Sequence, residues 1–362
     1  MSRIRLGMVG GGTGAFIGAI HRIAARMDGE FELVAGALSS DAARAAASAE
    51  ELGIRSYNSF EDMAREEAGR ADGVEAVAIV TPNNLHAAPA IAFLQAGIHV
   101  ICDKPLAATQ EQAQEIANAV RASSAKFFLT HNYCAMPMVR EARALVQEGR
   151  LGEIRLVQAE YLQGWLTDPA AGKQAEWRTD PARSGAGAIG DIGTHAWQLA
   201  QFVTGMTPGH LSADLSSMVA GRAVDDDARI ALRYAGGAKG GLWASQVATG
   251  QENGLSLRIF GSEAGLEWKL QDCERLMLFP KNGPAQMHTR TQDRSLSFRT
   301  PPGHPEGYLE GFANLYRDIA AIIRGDDAAQ TRVPGLEDAL SGMAFIAAAQ
   351  ASSRRDGAWV EV

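Results

Sequence analysis

The rhythm of the first third of the chain constrains the fold more than any other feature. Short apolar runs fall at residues 4–9, 32–38, 76–80, 99–102 and 127–130. Between them lie alanine-rich stretches with helical periodicity, at residues 17–27, 42–52, 86–96 and 110–122. The strand segments are continuously apolar rather than alternating. Such strands are buried on both faces, so strands and helices in alternation predict a parallel sheet covered on both sides. Right-handed crossovers then make the sheet doubly wound, with ligands expected at the carboxyl ends of its strands.

The pattern changes after about residue 133. A helix is predicted near residues 138–148. The stretch "LGEIRLVQAEYLQGW" alternates like an antiparallel strand, residues 166–188 read as irregular, and "GAIGDIGTHAWQLA", residues 187–200, reads as a helix. Strands follow at residues 211–218, 228–234, 240–246, 255–260 and 265–270, and helices at 306–323 and 336–349. The prediction is a doubly wound domain over residues 1–133. An α+β domain with a large, mostly antiparallel open sheet follows over residues 134–362. Alternation places Ile230, Leu232, Leu242, Ala244, Leu257 and Ile259 along this sheet, with Trp243 on the opposite parity to Leu242. Apolar groups are therefore expected on both faces, and an exposed apolar face predicts a homo-oligomer, dimer or tetramer, joined through the sheet.

Composition narrows the function classes. The chain is 46% hydrophobic and 21% charged, an ordinary globular balance. A net charge of −8 disfavours nucleic-acid and anionic-membrane partners. No apolar run reaches membrane-spanning length, and "MSRIRLGMVGGG" lacks the features of a signal peptide. Cys102, Cys134 and Cys273 are widely separated, without metal-ligand spacing. A cytoplasmic protein without a metal is expected.

The first chemical motif is "GMVGGGTGAFIGAIH". Gly10, Gly12 and Ala15 match G-x-G-x-x-[GA] between a strand and a helix, the arrangement that lays a pyrophosphate on a helix N-terminus. Thr13, Gly14, Phe16 and Ile17 complete the predicted phosphate loop. The second strand ends in Ser39 and Ser40, not in the usual acidic residue, and Asp41 reads as a helix cap. Arg44 is one turn further on, poorly placed for a 2′-phosphate. NAD is expected, with NADP open. "VTPNNLH" brings Thr81, Pro82, Asn83 and His86 to the ligand edge, with His86 either packing or binding. "VICDKPL" brings Asp103 and Lys104, either a surface pair or a lysine whose partial burial suits it to proton transfer. In "THNY", Asn132 is placed to bond a nicotinamide amide or a sugar hydroxyl.

"GAIGDIGTHAWQLA" raises a separate question. Gly190 and Gly193 flank its first turn, and each glycine within a helix costs ~1 kcal/mol relative to alanine. Asp191 and His195 stand four apart, on one face of a regular helix. They are either a cap with a half-buried histidine or a carboxylate–imidazole pair for chemistry. Just upstream, Trp177 and Arg178 suit a polyol, an indole against ring C–H groups and a guanidinium fork on vicinal hydroxyls. Trp165 either joins them or wedges into the core. His304 either binds substrate or stabilises its loop. His21, His99, His131, His210 and His288 belong to no recognisable constellation.

Together the glycine-rich turn, "TPNNLH", "DKP" and "GDIGTH" resemble the glucose–fructose oxidoreductase and inositol dehydrogenase (Gfo/Idh/MocA) family along essentially the whole chain. The family usually has Glu-Lys-Pro where this chain has Asp-Lys-Pro, and here residues 15–17 lengthen the phosphate loop. "GGGTGAFIGAIHR", "GALSSD", "WRTDPARSG" and "GHPEGYLE" are most similar to the bacterial branch acting on inositols and on pyranose or anhydro-sugars. The resemblance implies an N-terminal Rossmann domain and NAD-dependent oxidation of a ring secondary alcohol, scyllo-inositol first. It also implies that Lys104, Asp191 and His195 form the catalytic group. His195 would be the base, Lys104 would bond the same oxygen, Asp191 would hold a neighbouring hydroxyl, and the flanking glycines would admit substrate. The rivals are an NAD-using glycosidase of the same family and a non-enzymatic sugar sensor.

Overall fold

The computed structural model describes residues 2–169, 172–290 and 298–362, in two compact units. The first comprises Met1–Asn132 and Tyr308–Leu340. Its strands are β1 (Ile4–Val9), β2 (Phe31–Ala37), β3 (Arg55–Ser56), β4 (Ala76–Ile79), β5 (His99–Cys102) and β6 (Phe127–Leu129). All pair in parallel, in the order β3-β2-β1-β4-β5-β6, the doubly wound sheet that the apolar runs predict. Its helices begin with α1 (Phe16–Met27), α2 (Ala42–Leu52), α3 (Phe60–Ala68), α4 (Ala87–Gln95) and α5 (Gln110–Ala122). Side chains cap three of them: Asp41 caps α2, Ser59 caps α3 and Thr109 caps α5. The strand β3 and the helix α3 were not expected. A two-residue strand leaves no periodic signal, and "FEDMAREEA" is charge-rich with few apolar positions.

The second unit comprises Tyr133–Gly307 and Ser341–Val362. It begins with α6 (Pro137–Gln147) and β7 (Ile154–Leu162). The segment expected to be irregular holds two short helices, α7 (Lys173–Arg178) and α8 (Pro181–Ser184). Neither is long enough for periodicity to reveal. A π turn (Ile189–Gly193) then runs into α9 (Thr194–Thr204). The strands β8 (Pro208–Ser216), β9 (Asp227–Tyr234), β10 (Lys239–Ser245), β11 (Gly254–Gly261), β12 (Ala264–Lys269), β13 (Arg275–Pro280) and β14 (Gln286–Thr289) follow. After α10 (Tyr308–Ile323) and α11 (Leu336–Ser353), β15 (Val360–Glu361) ends the chain. The nine-stranded sheet has the order β14-β13-β12-β11-β7-β10-β9-β8-β15. It is antiparallel except at β7 and β10, which run parallel. The unexpected strands β13 and β14 extend one edge, and β15 the other.

One expectation is corrected and one holds. The second domain is not continuous over residues 134–362, because α10 belongs to the first unit. There Tyr316 is buried, its hydroxyl 2.8 Å from His21 Nδ1 and its ring edge-on to Phe31. Apolar groups occur on both faces of the large sheet, as the alternation predicts. Ile230, Leu232, Leu242, Ala244, Leu257 and Ile259 are all buried. The opposite face carries Arg229 over Trp243 and Arg258 paired with Glu160 at 2.7 Å. One exposed apolar row crosses it, Leu156 beside Phe260 and Phe279 beyond Gly265.

Candidate active site

In the first unit the chain leaves β1 through Gly10 and Gly11, at φ 77° and 71°. That region costs an L-residue ~1–2 kcal/mol, so glycine is required there. The loop is laid along the end of β2. Gly10 N–H donates to Ala37 O at 2.9 Å and Gly12 N–H to Leu38 O at 3.2 Å. A Cβ on Gly12 would stand 3.0 Å from both Leu38 O and Ser48 Oγ. Thr13 is anchored, its N–H on Ser48 Oγ at 3.1 Å and its hydroxyl on Glu51 at 2.7 Å. Gly14, at φ 83°, faces open space, Phe16 is exposed, and Ile17 is half-buried in the first turn of α1.

Ala15 precedes α1 with no side-chain cap, and the first turn holds no acidic residue. The leading N–H groups and the positive end of the helix dipole thus face the loop, as a pyrophosphate requires. One assignment changes. The glycine that allows close packing of helix on loop is Gly18, not Ala15. A Cβ on Gly18 would lie 2.4 Å from Gly11 Cα. The sequence signal was present, a glycine inside the helix at "GAIH" after the lengthened loop.

Ser39 is half-buried and Ser40 exposed at the end of β2. Asp41 caps α2 by accepting Arg44 N–H at 2.8 Å, and the exposed Arg44 guanidinium returns to Asp41 at 3.7 Å. At the end of β4, Thr81 Oγ1 donates to Leu85 O at 3.1 Å, Pro82 follows, and Asn83 is buried. His86 fits the packing alternative. It is fully buried, with Nδ1 3.0 Å from Pro105 O and Nε2 2.9 Å from Thr81 O. The ring lies between the "TPNN" turn and the "DKP" turn, and its one N–H as a neutral imidazole donates to one of these two carbonyls. Asp103 Oδ1 accepts Lys104 N–H at 3.0 Å and the Thr130 hydroxyl at 2.7 Å, fixing the half-buried Lys104 at the strand edge. Asn132 is buried, and its Nδ2 has no partner among the described residues. That orphaned donor and the open helix start fit a bound dinucleotide.

Electrostatics keeps the first-unit histidines neutral. Burial pushes His131 down to about 3, aided by the Lys104 charge and opposed by Asp103. Burial likewise lowers His21, His86 and His99.

In the second unit Asp191 lies inside the π turn and His195 at the second position of α9. They are therefore not one regular α-turn apart, because the i→i+5 pattern widens the helix there. Gly187 and Gly190 serve packing, while a Cβ on Gly193 would meet nothing nearer than 3.5 Å. A Cβ on Gly190 would stand 2.9 Å from Ala186 Cβ, and one on Gly187 would stand 1.8 Å from Asp225 O. Asp191, 19% exposed at its side chain, accepts Arg178 Nε at 3.2 Å and Gln246 Nε2 at 2.9 Å on Oδ2. Arg178 lies 4.3 Å from the Trp177 ring centre and 5.9 Å from that of Trp165. Trp165 is 45% exposed, which removes the core-wedge alternative. Its Nε1 donates to Gln163 Oε1 at 2.9 Å. Four residues expected to bind polyol (Trp165, Trp177, Arg178 and Asp191) are thus assembled in one cluster.

His195 is 7% exposed, with its ring edge-on to Tyr133 at 4.9 Å and tilted against Tyr161 at 5.9 Å. The two tyrosine hydroxyls meet at 2.7 Å, and Tyr161 donates on to Asn253 at 2.7 Å. His304 does not join the cluster. It is exposed, its Nδ1 3.2 Å from Pro301 O, as the loop-stabilising alternative requires. Gln246, Tyr133, Tyr161 and Asp225 were not foreseen. Asp225 left a trace in the acidic run "VDDDAR", and Tyr133 ends the "THNY" motif.

Comparison with known proteins agrees with this geometry. Residues 4–131 match the model of an oxidoreductase family with an NAD-binding Rossmann fold, and residues 139–267 match the GFO/IDH/MocA C-terminal domain. A crystal structure of an oxidoreductase from Sinorhizobium meliloti is 48% identical with a TM-score of 0.91, covering 99% of this chain and 100% of that one. An inositol dehydrogenase homologue from Azotobacter vinelandii, solved with NADH and myo-inositol, is 34% identical with a TM-score of 0.92, covering 100% and 98%. Levoglucosan dehydrogenase from Pseudarthrobacter phenanthrenivorans is 30% identical over 85% of this chain and 83% of its own. Fold and site thus define an NAD-binding oxidoreductase. More particularly, the chain belongs to the GFO/IDH/MocA family.

Proposed function

We propose that this protein oxidises a ring secondary alcohol of a cyclitol or sugar to a ketone or lactone, with scyllo-inositol first among the substrates and a pyranose or anhydro-sugar next. The observation that carries the reading is the Asp191 cluster. A carboxylate fixed by Arg178 and Gln246 beside two indoles offers hydroxyl acceptors, hydroxyl donors and apolar ring faces together. Myo-inositol bound to the Azotobacter homologue and the activity named for the levoglucosan relative support the same substrate class.

Three side chains carry the chemistry in this reading. His195 accepts the proton of the reacting hydroxyl, worth about 10²–10⁴-fold in rate. Lys104 bonds the same oxygen and stabilises its negative charge as the C=O bond forms. Asp191 accepts a neighbouring hydroxyl and fixes which ring carbon reacts. Asn132 supplies a donor to the nicotinamide amide or to a sugar hydroxyl. The chemistry that NAD supplies when bound is acceptance of the hydride released from that carbon. Ser39 and Ser40 suit a free ribose 2′-hydroxyl, and Arg44 is held by Asp41, so NAD is preferred over NADP. The free cysteines and pyridine-nucleotide chemistry suit a cytoplasmic reaction.

A panel of cyclitols and sugars, each with NAD and with NADP and followed by NADH absorbance, tests the reading. Net reduced cofactor with a cyclitol, pyranose or anhydro-sugar is expected, with kcat/KM favouring NAD. Sugar release without net NADH would replace dehydrogenation by glycoside cleavage. We also propose that copies of the chain pair through the Leu156, Phe260 and Phe279 row of the nine-stranded sheet. Light scattering of the native protein and of Phe260→Glu tests this, and a native monomer would end it.

A further inference from the structure

The carboxylate run 225–227 leads into β9, and its three members serve different elements. Asp227 accepts Trp243 Nε1 at 2.8 Å. Asp226, wholly buried, accepts Met218 N–H at 2.8 Å and Val219 N–H at 3.0 Å and pairs with Arg222 at 3.5 Å. Asp225 turns to the segment that precedes Asp191. Its Oδ1 accepts Gly187 N–H at 2.9 Å and its Oδ2 accepts Ile189 N–H at 2.7 Å. Its backbone carbonyl accepts the intervening Ala188 N–H at 2.8 Å.

One residue therefore receives three consecutive amides. They stand at the start of a π turn whose preceding residue, Ala188, offers no side-chain cap. Gly187 lies so close that any β-carbon there would collide with the Asp225 carbonyl. The adjacent Asp226 is linked through Gln246 to the Asp191 carboxylate. Gln246 N–H donates to Asp226 O at 2.8 Å, while its side-chain amide donates to Asp191 at 2.9 Å.

We propose that Asp225 is a positioning residue, which sets the π turn and thereby aims Asp191 at the substrate ring. Its contacts with the backbone on both sides of Ala188 fix where the turn begins, and the widened turn fixes where the Asp191 side chain leaves the helix. This rests on the reading of Asp191 as the carboxylate that binds polyol. Burial pushes the Asp225 carboxyl up to about 6, against its backbone hydrogen bonds and with help from Asp226.

The test uses the intact protein with NAD and scyllo-inositol, myo-inositol and levoglucosan in turn. Asp225→Asn keeps the side-chain volume but turns an amide NH₂ toward one of the two N–H donors. Loss of one charge-assisted hydrogen bond corresponds to about tenfold or more in kcat/KM for the polyol. NADH affinity stays native, since the dinucleotide fold lies in the first unit. A purely structural residue would instead lower the folded fraction and leave KM and kcat per folded molecule unchanged. Gly187→Ala perturbs the same junction without touching a carboxylate, and it should raise KM in the same direction. Asp227→Asn, whose partners lie elsewhere, should leave polyol kinetics native. Native polyol kinetics in both Asp225→Asn and Gly187→Ala would overturn the proposal. Asp191→Asn separates it from the reading on which it rests. If that variant is crippled while the other two are native, only the positioning role fails. If Asp191→Asn itself is native, the assignment of the site fails.

Discussion

Gly18→Ala tests the dinucleotide cradle most directly. The new β-carbon would lie 2.4 Å from Gly11 Cα, 2.6 Å from Gly11 O and 2.9 Å from Gly11 C. Carbon atoms in contact sit at about 3.5–4.0 Å, so loop and helix must part by about 1 Å. All three atoms are backbone, and no rotamer change relieves the clash. Overpacking of this kind costs about 1–3 kcal/mol. Alanine returns up to ~1 kcal/mol through helix propensity, which leaves a net stability cost of about 0–2 kcal/mol. Binding absorbs the damage, because the displaced parts are the loop and the helix start that receive the pyrophosphate. If the whole penalty appears there, NADH affinity falls by about 5- to 150-fold. Gly97→Ala, before β5 and away from the phosphate loop, is the control. Gly97 has φ 76° with nothing within 4 Å, so only left-handed strain applies, about 1–2 kcal/mol. NADH fluorescence titration beside thermal melting reads both. Native NADH affinity in Gly18→Ala would refute the close-packing argument.

Three further outcomes follow from the same geometry. His195→Ala should retain NADH binding and lose about 10²–10⁴-fold in kcat, and near-native turnover from neutral to mildly alkaline pH would remove it as the base. Lys104→Met should nearly abolish turnover in a folded protein and Lys104→Arg should not restore it, because a guanidinium stays protonated and is bulkier; full activity in the arginine variant would exclude proton relay. The first unit should lose stability on acidification. His21, His86, His99 and His131 are held neutral in the fold while the unfolded chain takes up protons below its ordinary histidine value, so stability present at neutral pH is lost as pH falls. With His131 pushed down to about 3, its loss continues across that whole range. The first unit's melting temperature between about pH 7 and pH 4 measures this, and His131→Gln should flatten the slope. A flat native profile would contradict buried neutral imidazoles. Asp225, raised to about 6, acts with the opposite sign in the second unit.

Legibility in the sequence followed the length of the signal. Runs such as 4–9 and 99–102 are buried on both faces, and burial of that kind is written directly into composition. Helices α7 and α8 depend on Gly172, on the Asp180 cap and on their neighbours, and no window of residues reveals them. The faces of the large sheet are legible only one strand at a time. Strand alternation fixes parity within one strand, but the alignment of one strand's parity with the next depends on register, which the pairing in space supplies.

The same division holds for the site. By itself the sequence determined the glycine loop, the ligand edge with Lys104, and the presence of Asp191, His195, Trp177 and Arg178 in one stretch of chain, because local chemistry is carried by local residues. Tertiary structure alone decided the rest. It made Gly18 the close-packed position, packed His86 between two turns, returned α10 to the first unit, and set Asp191 in a π turn gripped by Asp225 and Gln246. Apart from the Gly18–Gly11 approach, which spans seven residues, each of these is a contact between residues far apart in the chain. Its energy depends on distances that close only when the fold has formed, so no local window can contain it.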